Sequence, residues 1–350
     1  GGLTVKLQFN PARIVSSAAK LNKEDIAGRK CFLCRDNRPA EQIMLKFEGR
    51  KNKKYHILVN PYPIFPDHLV IAAVKHTDQS IRQRYVDMLD LARKYTDFTF
   101  FYNGPRSGAS APDHHHFQAA PSGIIPLECD VDNILDLGAD AEDLKYITSL
   151  QDARLYHYQK FTTGIFVLTA ETSKSMAKLF YRLLDCAEIP EGDSEPMFNL
   201  FTFYRDREFR SIVIFRSRHR SHHYFSDGPD HLTMSPGCAD MGGVFIVPVE
   251  AEYDKLTPEL LLEMLAEVSV TKEDESAILN RLIRTQPKIE VGIMSGKELE
   301  FEILSDGAGP RKASLKEGKI EYDGALYDEL LFDSQTPSTM FAEPSFVLHG

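Results

Sequence analysis

The chain has 350 residues, 43% of them hydrophobic and 26% charged, which excludes a disordered or collagen-like polymer and leaves room for one to three domains with buried cores. Its net charge of −10 is unevenly spread. Residues 1–127 hold 19 Lys+Arg against 11 Asp+Glu, and the rest hold 22 against 40. A basic first third suits a phosphate-bearing ligand, whereas the acidic remainder argues against a protein that coats nucleic acid. No run approaches the roughly 18 apolar residues of a membrane span, so no membrane partner is expected and the chain as read is expected to be cytoplasmic. Five cysteines form no even framework, which fits a reducing compartment better than a disulfide scaffold.

In chain order, Cys31-Phe32-Leu33-Cys34 comes first, with the C-x-x-C spacing that lets two thiolates grip one tetrahedral ion. A redox pair and two plain buried cysteines are the rivals. The apolar residues between the cysteines, with no thioredoxin-like βαβ unit around them, favour metal. Tyr55 to Val74 reads as two antiparallel strands joined by a Pro-rich turn. Ile81, Tyr85, Met88, Leu89 and Ala92 then recur at helical spacing behind an expected Thr77/Asp78 cap. FTFFYN is a strand that runs into NGPRSGASAPDHHHFQ, residues 103–118.

That stretch has two plain readings, a solvated polar loop and an adventitious histidine tract. A third follows from strand alternation, which points His114, His116 and Gln118 one way and His115 and Phe117 the other. An imidazole followed by a carboxamide about 7 Å along one face suits a phosphoryl centre. The neutral ring can attack phosphorus, and an amide N–H can hold a non-bridging oxygen. The preceding Gly/Ser loop with Arg106 offers the donors that a pyrophosphate requires.

A second block from about Leu155 repeats the strand and helix vocabulary. GIFVLTA reads as a strand, TSKSMAKLFYRLLDC as a helix and FNLFTFYRDREFRSIVIFRSR as a hairpin. GGVFIVPV is another strand, and a helix begins at Thr257-Pro258. A third block from about Pro287 is strand-like, through KIEVGIM, LEFEIL, GKIEYDGALYDELLF and SFVLHG, with Asp323-Gly324 as a hairpin turn. RSRHRSHHYF, residues 216–225, is either a solvated basic hairpin end or a segment reaching over the first block toward substrate phosphates. His56 and His68 lie on apolar strands and read as satisfied core histidines.

CFLC, NPYPIFPDHLVIAAVKH and NGPRSGASAPDHHHFQ, in this order and spacing, resemble the branch of the histidine-triad superfamily that holds galactose-1-phosphate uridylyltransferases, diadenosine tetraphosphate phosphorylases and GDP-galactose phosphorylases. The resemblance is specific over about residues 31–121 and weaker over 155–285. The tail from about Ile289 faintly resembles the start of an amidase-enhancer domain of cell-wall proteins. The fold implied is α+β: two histidine-triad-like half-domains, each an antiparallel sheet with packed helices, over 1–150 and 151–286, then a small all-β module over 287–350.

The resemblance further implies that His116 is the nucleophile of a covalent nucleotidyl-histidine intermediate and that Gln118 binds the transferring phosphoryl group. Asn60, Asn103, Arg106, Ser107, Gly108 and Ser110 fall on the nucleotide and phosphate contacts, with Arg106 supplied by the loop's own chemistry. Cys31, Cys34, His76 and His114 form a Cys₂His₂ set for one structural Zn²⁺, saturated and therefore not catalytic. The substrate implied is a nucleoside diphosphate-sugar or a dinucleoside polyphosphate, with phosphate or a sugar phosphate as acceptor. Members of this branch are often homodimers. Triad hydrolases carry a third histidine where Gln118 stands, and a carboxamide cannot exchange protons at neutral pH, so group transfer is favoured over hydrolysis. The rival functions are a nucleotide hydrolase, a non-catalytic nucleotide-binding module of a cell-wall-related system, and a zinc-stabilised interaction scaffold.

Overall fold

The computed structural model describes residues 4–18, 23–137 and 142–284, together with strand segments between 299 and 349. The N-terminal segment carries β1 (Lys6–Phe9), α1 (Ile14–Ser17) and α2 (Lys23–Gly28). Next come β2 (Met44–Glu48), β3 (Lys54–Val59), β4 (Leu69–Ala73), α3 (Tyr85–Lys94), β5 (Phe98–Asn103) and β6 (His116–Pro121). α4 (Pro126–Leu137) leads to β7 (Leu144–Leu150), β8 (Ala153–Tyr158), β9 (Ile165–Ala170), α5 (Ser173–Cys186), β10 (Phe198–Arg205) and β11 (Glu208–Phe215). α6 (Cys238–Met241), β12 (Val244–Val247), α7 (Glu250–Tyr253), α8 (Pro258–Val268) and α9 (Lys272–Arg284) complete this part.

Ten of these strands form one antiparallel sheet in the order β2-β3-β4-β6-β5-β10-β11-β9-β8-β7. Read from either edge, the order is the same succession of two meander strands, a third, and then a swapped pair, with one helix following the third strand. The second half therefore repeats the first, and β5 meets β10 at the join, Phe101 opposite Phe201. This is the expected α+β architecture, with the two halves sharing a continuous sheet. β7, at the outer edge of the second half, pairs with β8. β12 lies outside the sheet and pairs in parallel with β1.

The alternation of each strand divides its side chains between two cores. Tyr55, Ile71, Tyr102, Phe117, Phe198 and Val213 face α3, α5 and α9 in one cluster. Phe101, Ala120, Phe201 and Ile212 face α4, α6, β12 and α8 in a second. A small third cluster of Cys31, Leu33, Leu58, Val70, Ala72 and Ala111 lies at the β3-β4 end. Thr172 caps α5 and Thr257 caps α8, each accepting a backbone N–H from three residues on. Such caps are worth about 1 kcal/mol each and account for helix starts that the sequence marks clearly.

The expected Thr77/Asp78 cap is not used. α3 starts at Tyr85, after Gln83 takes a positive φ of 65°. Residues 77–79 are engaged elsewhere: Thr77 accepts the His115 N–H and the Gln79 N–H donates to Pro112. Among the described residues of the tail, β13 (Leu299–Ser305), β14 (Gly309–Lys316), β15 (Lys319–Tyr322) and β16 (Ala325–Tyr327) form a four-stranded antiparallel sheet. β17 (Glu329–Leu331) pairs with β18 (Val347–His349). KIEVGIM and the Asp323-Gly324 turn lie outside the described residues, although the flanking strands pair antiparallel with Tyr322 opposite Ala325. Among the described residues no helix is long and apolar enough to cross a membrane.

Candidate active site

The three histidines before β6 take three different environments. His115 points into the first core, its ring 4.7 Å from Phe117 and about equally near Tyr102 and Tyr55, at 6.1 and 6.2 Å. Burial pushes its pKa well below the usual value, so it is a neutral core side chain. His114 and His116 lie on the other side.

His114 Nδ1 is 3.3 Å from Cys31 Sγ and 3.5 Å from Cys34 Sγ, and His76 Nδ1 is 3.2 Å from Cys34 Sγ. The four ligand atoms all lie within 4.8 Å of one another. Two thiolates and two imidazoles around a tetrahedral Zn²⁺ stand roughly 3.3–3.8 Å apart, so the spacing fits such an ion. The protonation pattern fits as well. His114 Nε2–H donates to the Ala73 carbonyl at 2.7 Å, which leaves Nδ1 with the lone pair facing the sulfurs. His76 Nε2 faces Asp113 at 3.9 Å, and Asp113 is held by Arg29 at 2.5 Å. The expected ligand set is thus brought together from a loop, the end of β4 and the approach to β6.

His116 opens β6 and is 5% exposed. Its Nδ1–H donates to the His114 carbonyl at 2.8 Å, so the unshared pair is on Nε2. Burial lowers its pKa to about 4, keeping the ring neutral at pH 7. Gln79, absent from the sequence reading, holds the backbone here. Its Oε1 accepts the His116 N–H at 2.8 Å, and its Nε2 donates to the carbonyls of Asn103 and His116 at 2.9 and 3.0 Å. Gln118 follows on the same face of β6. Its Oε1 accepts from His68 Nε2–H at 2.9 Å, while His68 Nδ1 accepts the Ile64 N–H. Committing the carboxamide oxygen this way makes the Gln118 NH₂ the group available as a donor. His68 is a satisfied buried histidine, as expected, yet it also orients Gln118.

The loop after β5 is clamped by the second half. Asn103 Oδ1 accepts from Asn199 Nδ2 and from the Cys238 N–H, both at 2.8 Å, so its oxygen braces the loop. Asn199 Nδ2 also donates to the Ser107 carbonyl. Gly108 has φ +94°, and a Cβ there would come within 2.5 Å of Gly237, so only glycine fits. The Gly108 N–H approaches His219 Nδ1 at 3.4 Å. Ser107 Oγ is buried without a partner, and Ser110 lends its carbonyl to Arg29. Asn60 Oδ1 accepts the Tyr62 N–H, presenting its amide toward His68 and the Gln118 side of the site. Arg106 is turned away: it pairs with Asp193 at 3.0 Å and its side chain is 54% exposed.

Arg216, from the basic run after β11, is the keystone of that clamp. Its guanidinium is buried and donates to the carbonyls of Val268, Pro236, Arg218 and His219 and to Asn199 Oδ1. Burial lowers its pKa only to about 10, so it stays charged. Arg216→Met would take a donor from five acceptors, of which the Pro236 carbonyl and Asn199 Oδ1 are buried. A stability loss of about 3 kcal/mol or more is expected in chemical denaturation. A loss below about 1 kcal/mol would show that water replaces the guanidinium.

A concave surface of about 530 Å³ lined by Thr96, Asp97, Ser122, Tyr204, Arg205 and Asp206 lies at the opposite end of β5 and β6. It contains neither imidazole nor thiol, and the chemistry is assigned to the histidine end. β11 shows the contrast between halves. On the face that carries His116 and Gln118 in β6, it presents Arg210, Ile212 and Ile214. The second half repeats the framework without the histidines.

Residues 1–121 match the family model described as Domain of unknown function (DUF4922). Protein APA1 of Saccharomyces cerevisiae is 29% identical over 93 residues, covering 23% of this chain and 29% of that relative. The match thus spans less than a third of the curated relative's length. Among solved structures, yeast Ap4A phosphorylase Apa2 in complex with AMP has a TM-score of 0.44 at 17% identity, covering 75% of this chain and 97% of that one. An ADP-glucose phosphorylase from Arabidopsis thaliana with bound ADP-glucose has a TM-score of 0.35 at 14% identity, covering 75% and 95%. The motif resemblance is to this group of proteins.

Proposed function

We propose that the chain is a nucleotidyltransferase or phosphorylase that works on a nucleoside diphosphate-linked substrate through a nucleotidyl-histidine. The observation that carries this reading is the tautomer of His116: Nδ1–H is committed to the His114 carbonyl and Nε2 is left with its lone pair. Nε2 attacks the phosphorus next to the nucleoside, a P–N bond forms, and the P–O bond to the departing phosphate group breaks. The positive charge that develops on the ring is stabilised by the carbonyl that accepts from Nδ1. The NH₂ of Gln118, whose oxygen is held by His68, binds a non-bridging oxygen as negative charge builds. A phosphate or sugar phosphate then attacks the same phosphorus, the P–N bond breaks, and His116 is regenerated.

Cys31, Cys34, His76 and His114 would hold one Zn²⁺ in this reading. Four protein ligands would leave such an ion no open position, so this set would serve to fix His114, whose carbonyl orients His116. The test is incubation with labelled ADP-glucose, UDP-glucose and diadenosine tetraphosphate, with and without inorganic phosphate. Phosphate-dependent release of a nucleoside diphosphate supports the proposal. Turnover at the same rate without phosphate would assign a hydrolase instead, and no turnover with any of these substrates or a hexose phosphate acceptor would sink the reading.

The pH dependence follows from burial of the nucleophile. Protonation removes the Nε2 lone pair, and the folded-state pKa is depressed from 6.5 to about 4. The single-turnover rate should therefore hold from pH 7 down to about 5 and fall only as the pH drops through about 4. Thermal stability is a poorer readout. His68 and His219, also depressed, to about 4 and about 3, contribute stability above pH 6.5 that is lost as pH falls toward those values. Glu195 and Asp240, raised by burial to about 7 and about 6, act in the opposite direction over the same range. A rate that halves near pH 6.5 would show that His116 is solvated like an ordinary histidine.

A further inference from the structure

A second group of ligating side chains converges where the turn after β11 meets α8, outside the site described above. His222 and His223 are consecutive, and their rings lie against each other at a tilt of 37° with centroids 3.9 Å apart. Each ring has one nitrogen committed to an oxygen. His222 Nδ1 lies 2.8 Å from Glu267 Oε2, and that carboxylate also accepts from Arg218 and from the His222 N–H. His223 Nδ1 lies 3.2 Å from the Asp230 carbonyl, which can only accept, so the proton is on Nδ1 and the lone pair on Nε2. That Nε2 is buried and has no hydrogen-bond partner.

A buried imidazole nitrogen with a free pair calls for an explanation. Glu263 Oε1 stands 3.8 Å from it, too far for a hydrogen bond and near the roughly 3.4 Å that separates two ligand atoms on a tetrahedral ion. One ligand atom each from His222, His223 and Glu263 lies within 4.8 Å of the others. Glu263 and Glu267 are one turn apart on α8 and divide the work: the first faces the lone pair, and the second fixes the neighbouring ring as partners of metal-bound histidines do.

We propose that His222, His223 and Glu263 form a second metal site, for a divalent transition ion of the Zn²⁺ class. Two imidazoles and one carboxylate suit such an ion better than Mg²⁺ or Ca²⁺, which prefer oxygen. The His222 and Glu263 side chains are 55% and 62% exposed, so the remaining coordination positions open to water. An ion here ties the 222–223 turn to α8. That turn is three residues beyond His219, which meets the Gly108 N–H of the loop after β5, so the site steadies the segment that covers that loop. The inference does not depend on the reaction proposed above.

The test is zinc titration of the full chain by calorimetry, with elemental analysis after dialysis. Wild type should take one more equivalent of Zn²⁺ than the His222→Ala/His223→Ala double variant, and equal stoichiometry would overturn the site. If the double variant does not fold, Glu263→Gln, a change at an exposed position, decides the matter. It should weaken the additional equivalent by about 10-fold or more. Unchanged affinity in that variant would overturn the proposal.

Discussion

His116→Ala is expected to lower the single-turnover rate of nucleotidyl transfer by about four orders of magnitude or more, with the melting temperature within a few degrees of wild type. The size follows from removal of the atom that forms the new bond, since the remaining donors can bind substrate but cannot divide the reaction into two displacements. The fold should tolerate the change because the ring makes its hydrogen bond locally, to the carbonyl two residues back, and the strand is held by Gln79 through backbone groups that alanine keeps. Acid-quenched mixtures of wild type with labelled substrate should hold protein-bound nucleotide, and those of the variant none. Retention of more than a tenth of the wild-type rate would remove His116 from the chemistry.

Gln79→Ala separates position from reactivity at the same place. It keeps the nucleophile but frees the carbonyls of Asn103 and His116 and the His116 N–H, three groups that meet on one buried carboxamide. Nothing in the sequence around Gln79 announced this. The Thr77-Asp78-Gln79-Ser80 run reads as a helix cap because the apolar spacing that begins at Ile81 is helical, and local patterning does not report that the run is drawn into the approach to β6.

The histidine stripe was readable because strand alternation is local: it put His115 with Phe117 and opposed both to His116 and Gln118, as the cores show. The C-x-x-C pair was readable for the same reason, its two ligands being four residues from end to end. The internal repeat was visible only as a similar order of elements. Its consequence, one sheet joined at β5 and β10, depends on a pairing between residues about a hundred positions apart. Arg216 and Asn199 were missed on similar grounds. A guanidinium in a basic run looks solvated until the fold wraps five acceptors around it, and Arg106, which the loop's composition offered to phosphate, instead meets Asp193 from the segment before β10.

Cys34→Ala, or prolonged chelation, is expected to destabilise the fold strongly. The segment bearing Cys31 and Cys34 is held to the sheet by the smallest of the three cores, made largely of small or medium side chains around Leu58 and Val70. So little apolar surface cannot order a segment with little regular structure against its conformational entropy, whereas a four-ligand zinc site supplies binding free energy directly to the folded state. A loss of at least about 3 kcal/mol corresponds to a fall of roughly 6–12 °C in melting temperature for a domain of this scale. Activity should fall with it, because release of His114 loosens the carbonyl that orients His116, and kcat should fall more than KM rises. The measurements are metal content, thermal melting and steady-state kinetics on the same preparation. A metal-free protein that melts and turns over like the metal-bound one would mean that the hydrogen bond from His114 to Ala73 alone fixes the stripe. The two thiols would then be no more than neighbours in a small apolar cluster.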